Sequence, residues 1–271
     1  MLDADRGWAI SHKGHVFATQ SGGANWTKIS ELNGFTCSNQ IEFVNEKEGW
    51  IRECLSILWT RDGGVTWHET LSTITPGVIG QPTGMFLFDA NTLIFSGTGG
   101  QFYLTRDRAV TWKIESPVTG DHIDFNDVWF VDRMHGWLAG YRVVVAGESS
   151  KPLLLETTDG GESWKEVSIN AEIRPSSVCF VDDDEGWIAG SRRIVNGNSV
   201  RLEGVLLQTS DGGKSWEQVQ LGPEEPFLTD VRFVDKEHGW VVGRDSLFRT
   251  EDSGKTWKRV LSLPPLTHEA R

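Results

Sequence analysis

Thr209-Ser210-Asp211-Gly212-Gly213-Lys214-Ser215-Trp216 is the stretch from which the fold is read. The chain repeats it. Thr60–Trp67 reads TRDGGVTW, Thr157–Trp164 reads TTDGGESW, and Thr250–Trp257 reads TEDSGKTW. Two copies are degraded. Thr19–Trp26 (TQSGGANW) has Ser21 in the aspartate slot, and Thr105–Trp112 (TRDRAVTW) keeps Asp107 but loses both glycines. The conserved slots hold Asp62, Asp107, Asp159, Asp211 and Asp252, with Trp26, Trp67, Trp112, Trp164, Trp216 and Trp257 closing the six boxes. Within a box, glycine supplies the positive φ of a tight turn. The aspartate accepts hydrogen bonds from backbone N–H groups in that turn. The tryptophan opens the next strand and packs on the hairpin. These residues are therefore expected to staple structure rather than to react.

A second pattern lies upstream of each box: apolar residues, a polar turn, then Gly-Trp. It occurs at Gly7-Trp8, Gly49-Trp50, Gly136-Trp137, Gly186-Trp187 and Gly239-Trp240, while the third unit has Asn91-Thr92-Leu93-Ile94 in that place. Of the 13 tryptophans only Trp59 and Trp129 fall outside these slots, so the repeat organises the whole chain. Each unit reads as four short strands. In the last, strand A is 230–234, B is 239–243, C is 246–250 and D is 257–263. No segment shows helical periodicity. Four-stranded units of about 40–50 residues in series predict an all-β chain, a single β-propeller over 1–271, because one sheet cannot bury both faces without neighbours. The blades are predicted near 1–32, 40–73, 84–117, 127–170, 177–221 and 230–263, followed by a tail, 264–271. The first blade is incomplete: only Met1-Leu2 stand where Phe233-Val234-Asp235 stands in the last. Either the chain is a piece of a longer protein, or six blades close with Leu266–Arg271 patching the gap.

The 271 residues carry 26 Lys+Arg against 38 Asp+Glu, a net charge of -12 that argues against general nucleic-acid binding. With 38% hydrophobic residues the chain is neither disordered nor membrane-spanning. Cys37, Cys54 and Cys179 are an odd number without CxxC spacing, so no disulfide framework and no zinc site is expected; Cys37 and Cys54 pair only if their loops meet. Met1–Arg6 is polar and has no signal-peptide character, so any targeting segment would lie upstream.

Blade topology puts the acidic A–B turns and the boxes at one end of each sheet and the B–C turns at the other. The B–C end varies in length, with insertions at Tyr141–Pro152 and Ser191–Gly204. Loops on a rigid scaffold are where binding concentrates. Cations recur there: Lys13, Arg52, Arg142, Arg192, Arg193 and Arg244, with Tyr141 beside Arg142. They form a candidate rim for an acidic partner. The competing reading pairs each arginine with a nearby acid, as Arg244 with Asp245. Asp121, His122, Asp124 and Asp127 crowd a D–A linker without a calcium-loop spacing. His135 and His238 precede Gly-Trp at matching turn positions, and His12 and His15 flank Gly14 in a turn with no ligand pattern. No cofactor and no metal site is expected, and no P-loop or nucleophile elbow occurs.

The units resemble Asp-box (BNR) repeats. The combined pattern at Phe130–Gly140, Phe180–Gly190 and Phe233–Gly243, each followed by its box, resembles the β-propeller family of photosystem II assembly and stability factors. That resemblance covers nearly the whole chain. It implies a usually seven-bladed, non-catalytic protein-binding scaffold for photosynthesis. Such a scaffold docks a membrane-protein subunit or assembly intermediate through the face bearing the B–C loops, with a patch of arginines involved. It also implies an extracytoplasmic compartment, the periplasm or thylakoid lumen. The protein itself is expected to be a monomer that neither spans a membrane nor binds nucleic acid. The alternative is an extracytoplasmic glycan-binding or sialidase-like glycosidase propeller. Against it, Ile173-Arg174-Pro175 has the wrong order for the sialidase signature, and Tyr103 and Tyr141 are the only tyrosines.

Overall fold

The computed structural model describes residues 2–3, 5–11, 13–32, 40–72, 77–78, 80–120, 122–145, 149–197, 199–222 and 225–262. Among them there is strand and turn but no helix. The chain groups into two compact units, Met1–Phe125 and Asn126–Arg271.

Three antiparallel sheets make up the first unit. The first has β1 (Gly7–Ile10), β2 (His15–Thr19) and β3 (Thr27–Glu31). The second has β4 (Gln40–Phe43), β5 (Gly49–Arg52), β6 (Ser56–Thr60) and β7 (His68–Ser72). The third has β8 (Pro82–Leu87), β9 (Leu93–Gly97), β10 (Phe102–Thr105) and β11 (Lys113–Glu115). The second unit continues the pattern. Its sheets are β12 (Ile123–Phe130) to β15 (Lys165–Val167), through β13 (Gly136–Val145) and β14 (Ser149–Thr157); β16 (Arg174–Phe180) to β19 (Glu217–Val219), through β17 (Gly186–Asn196) and β18 (Ser199–Thr209); and β20 (Leu228–Phe233) to β23 (Lys258–Ser262), through β21 (Gly239–Gly243) and β22 (Ser246–Thr250). Every sheet runs in sequence order, each strand paired to the next. These are the blades of a β-propeller. Among the described residues the first has three strands.

Burial explains the apolar runs. In β17 the segment Gly186–Gly190 is buried at every position, then exposure begins at Ser191. A strand flanked by sheets on both faces reads as a continuous apolar run rather than an alternating one. Between the sheets of the second unit, Trp137, Leu154, Val178, Ile188 and Leu207 form one core, and Trp187, Leu206, Val231, Val241 and Phe248 form the next. In the first unit, Trp50, Ile57, Met85, Phe95 and Tyr103 do the same between the second and third sheets.

The Gly-Trp pattern acquires its reason here. The Trp of one blade stacks on the strand-A phenylalanine of the next: Trp8 on Phe43, Trp137 on Phe180 and Trp187 on Phe233, each with ring centroids 3.7 Å apart. That same phenylalanine receives its own box tryptophan edge-on, as Trp216 meets Phe180 at 6.1 Å and Trp257 meets Phe233 at 5.9 Å. The ring lies over the glycine of its own hairpin. A Cβ on Gly186 would stand 2.5 Å from Phe180 Cδ1, and one on Gly136 would stand 2.4 Å from Phe130. Glycine is needed there for close approach, not for positive φ.

The boxes are hydrogen-bonded as their chemistry predicts. Asp211 Oδ1 accepts from the Thr209 hydroxyl at 2.8 Å and the Ser215 N–H at 2.9 Å, and Oδ2 accepts from the Ser215 hydroxyl at 2.6 Å. Asp62, Asp107, Asp159 and Asp252 repeat the scheme. The degraded boxes keep the turn by other means. Ser21 Oγ accepts from Asn25 N–H at 3.0 Å in the first, and Arg108 and Ala109 take the left-handed φ of 61° and 62° in the third.

Candidate functional site

The two insertions are not irregular loops. They prolong the B–C hairpins: β13 and β14 pair from Gly136↔Thr157 out to Val145↔Ser149, and β17 and β18 pair from Gly186↔Thr209 out to Asn196↔Ser199. Each makes a two-stranded ribbon at the end of its sheet opposite the boxes. This end of the second unit is where four of the cations lie.

Three of those four are answered by acids. Arg142 grips Glu166 through two bonds, of 2.7 and 3.2 Å. Arg192 donates to Glu203 Oε1 at 2.7 Å and reaches Gln218 Oε1 at 3.4 Å. Glu166 and Gln218 each follow their box tryptophan by two positions, so the two blades use the same geometry. Arg244 lies 3.7 Å from Asp245 and is over half exposed. Each of these three thus has an acid beside it. Arg193 is exposed and, among the described residues, joins no ion pair. Tyr141 is buried at 5% exposure, with the exposed Arg174 lying over its ring at 3.8 Å and donating to its hydroxyl. Arg174 was not among the sequence candidates; its place in an Ile-Arg-Pro run was the one available signal. In the first unit Lys13 is exposed. Arg52 is a strut there, donating to Gln40 Oε1 and to the Pro82 carbonyl, both at 3.3 Å.

The acidic stretch before β13 separates. Ile123 already starts β12, so Asp124 and Asp127 belong to a strand and not to a linker. Asp121 and His12 lie outside the described residues. Asp124 accepts from Gly99 N–H at 3.0 Å. Asp127 is buried and turns toward β16 and β20, where it meets a group the sequence did not reveal. Arg232 Nη1 lies 3.2 Å from both Asp127 Oδ2 and Asp230 Oδ1, and it donates to Ser177 Oγ at 2.9 Å and to the Val231 carbonyl at 3.0 Å. Asp127 Oδ2 also accepts from Val178 N–H at 3.1 Å. Burial raises the Asp230 carboxyl above its ordinary range despite the pull of Arg232. Against the cost of burial, Asp127 and Asp230 hold the Arg232 guanidinium above its ordinary value. Strand A of three successive blades is thus tied through one arginine.

One group among the described residues offers three ligand atoms to a cation: Asp132, His135 and Asp183, within 4.8 Å of one another at the A–B turns. Asp132 Oδ1 is already occupied by the N–H groups of Met134 and His135 at 2.6 and 2.7 Å. His238 repeats the local arrangement with Asp235. Of the cysteines, Cys54 is disulfide-bonded, which departs from the sequence expectation; Cys37, the partner the sequence offers, lies outside the described residues. Cys179 is free and buried. No helix among the described residues is long and apolar enough to cross a membrane.

With this geometry in hand, comparison with known proteins is informative. Residues 1–120 and 116–228 match the family described as Photosynthesis system II assembly factor YCF48. The photosystem II stability/assembly factor HCF136 of Cyanidioschyzon merolae is 25% identical over 281 aligned positions, covering 95% of this chain and 62% of that protein. The chain spans less than two thirds of the length of the curated relatives it matches. A solved structure described as YCF48 bound to D1 peptide superposes with a TM-score of 0.64 at 18% identity, covering 96% of this chain and 80% of that one. An ancestral GH74 enzyme superposes with a TM-score of 0.69 at 12% identity, covering 96% of this chain and 37% of that one, which is a likeness of fold alone.

Proposed function

We propose, from the premise that this chain belongs to the Ycf48 family of photosystem II assembly factors, that it is a non-catalytic scaffold whose B–C end docks a membrane-protein assembly intermediate. The observation that supports this reading most is the family match across both compact units. The architecture agrees with it. Boxes and acidic turns occupy one end of the blades, and the opposite end of the second unit extends into ribbons carrying Arg142, Arg192, Arg193 and, in a short turn, Arg244. A rim of guanidiniums suits a partner bearing carboxylates.

The glycosidase alternative finds less support. Tyr141 is covered by Arg174, and the Tyr103 hydroxyl donates to Gln101 at 2.8 Å inside a core that pushes its pKa up to about 12. A sialidase needs an accessible tyrosine nucleophile, and most other glycosidases need two carboxylates flanking an open space. Here Asp127 and Asp230 are bridged by Arg232.

The test is retention of a membrane protein from solubilised membranes of the source organism on the immobilised chain. The comparison is an Arg142→Glu, Arg192→Glu, Arg244→Glu variant with unchanged tryptophan fluorescence. Retention by the parent chain alone is the expected result. Equal retention by both would exclude the arginine rim. Turnover of a fluorogenic sialoside, lost in Tyr141→Phe, would instead establish the enzyme.

A further inference from the structure

The ribbon formed by the outer halves of β17 and β18 has two unlike faces. Directly opposed residues share a face, and so do alternate residues along a strand. Arg192 opposite Glu203 and Ile194 opposite Arg201 form one face. Its charges are satisfied within it, since Glu203 lies 2.7 Å from Arg192 and 3.7 Å from Arg201. Arg193 opposite Leu202 and Val195 opposite Val200 form the other. There Val195, Val200 and Leu202 are 57%, 52% and 48% exposed. Arg193, on the same face, joins no ion pair among the described residues. The ribbon also has open edges. Strand β16 follows β17 only as far as Ser191, and β19 follows β18 only from Leu206 onward.

An aliphatic face on a long strand pair with open edges is costly in water and prone to adventitious pairing. Natural proteins hide or charge such a surface unless it is used. Here Arg193 is the one charge on this face, and Arg192, Arg201 and Glu203 lie on the opposite one. We propose that the face of Arg193, Val195, Val200 and Leu202 is a docking surface for an extended polypeptide segment in which aliphatic side chains alternate with carboxylates. The segment lies along the ribbon as an added strand, its apolar residues against the two valines and the leucine and a carboxylate on Arg193. Charge decides among the possible occupants. A second copy of the chain, docked ribbon to ribbon, would set Arg193 against Arg193. An anionic bilayer would face a chain of net charge -12 through a polar tip, Asn196-Gly197. The inference rests on the chain being a protein-binding propeller, and it adds an apolar contact distinct from the rim at Arg142 and Arg244.

The probe is a short fluorescent peptide alternating valine and glutamate, titrated against the full chain and followed by anisotropy. Saturable binding is expected. It should weaken about tenfold or more in Val195→Thr, Val200→Thr, Leu202→Thr, which places a strand-favouring β-branched residue at each position while removing apolar surface, and again in Arg193→Glu. Arg201→Gln, on the opposite face, should change it less than about threefold. Unchanged melting temperatures establish that the variants fold. No binding by the parent chain, equal binding of a valine–lysine peptide, or undiminished binding by the threonine variant would each overturn the proposal. So would a dimer, or attachment to phosphatidylglycerol vesicles, that the threonine variant abolishes. If parent and threonine variant retain a membrane protein equally, the ribbon proposal fails while the membrane-partner reading stands.

Discussion

Trp137 and Phe180 stack with ring centroids 3.7 Å apart and planes 3° from parallel, and in doing so join two successive blades of the second unit. Phe180 also covers Gly186 and meets Trp216, so one ring links the strand pair, the box and the neighbouring sheet. The same arrangement recurs at Phe233 with Trp187 and Trp257. We expect Phe180→Ala to cost about 3–5 kcal/mol, because a fully packed aromatic is removed and its cavity cannot collapse between rigid sheets. Gly186→Ala should cost about 1–3 kcal/mol through overpacking, its Cβ meeting the Phe180 ring. Urea unfolding followed by tryptophan fluorescence measures both. A loss below about 1 kcal/mol for Phe180→Ala would contradict its role as the joint.

Arg232 holds Asp127, 105 residues away in sequence, together with Asp230 of its own strand. Its replacement by methionine leaves two carboxylates facing one another without a counter-ion. We expect a loss of about 3 kcal/mol at neutral pH, the lower end of the range for a broken buried pair, because the guanidinium is partly exposed. The Asp230 carboxyl is already raised by burial. A carboxyl raised on folding destabilises the fold above its folded pKa, and the penalty disappears as pH falls below its unfolded one. The variant should therefore recover part of its deficit between neutral and mildly acidic pH. An equal deficit at both would assign the loss to packing.

Acid should act on the boxes in the opposite sense. The hydroxyl and N–H of Ser163 hold Asp159 at about 2, and those of Ser215 hold Asp211 at about 2. The unfolded value is about 3.9. A carboxyl depressed on folding contributes stability that is complete above the unfolded value and lost as pH falls through the folded one. Loss between about pH 4 and pH 2 should be shallower in Asp159→Asn, Asp211→Asn than in the parent chain. Parallel curves for the two, from denaturant titrations at several pH values, would show that the boxes do not contribute to acid sensitivity.

Cys179 is fully buried, and burial pushes its thiol up to about 12. Reactivity follows the exposed thiolate. In the native protein Cys179 should resist thiol-labelling reagents, and it should react when urea unfolds the second unit. Labelling without unfolding, mapped to this residue by mass spectrometry, would place it in an opening the structure does not show.

Much of this was legible before any coordinates. A box such as Thr209–Trp216 is local chemistry: hydroxyl, carboxylate and glycines within eight residues satisfy one another wherever the segment is placed. The strands followed from short apolar runs between turns. The contacts of the candidate rim were not legible. Arg142 and Arg192 do occupy equivalent positions, but each is held by its own blade, and Tyr141 is covered by Arg174. A sequence position fixes which end of a blade a residue occupies, not what its side chain finds there. The ribbon faces were equally hidden. Only the register Arg193↔Leu202 and Val195↔Val200 shows that the aliphatic residues share one side.

The sequence by itself determined the repeat, the turns and the all-β character, because those depend on contacts within a few residues of one another. Tertiary structure alone decided why Gly186 must be glycine, why Arg232 is tolerated in an inner strand, and which residues of the long hairpin face solvent. Those outcomes depend on neighbours from other blades, 43 residues away for Trp137 and Phe180 and 105 for Asp127 and Arg232. Packing between sheets sets such pairings, and a one-dimensional pattern records only that each partner is present.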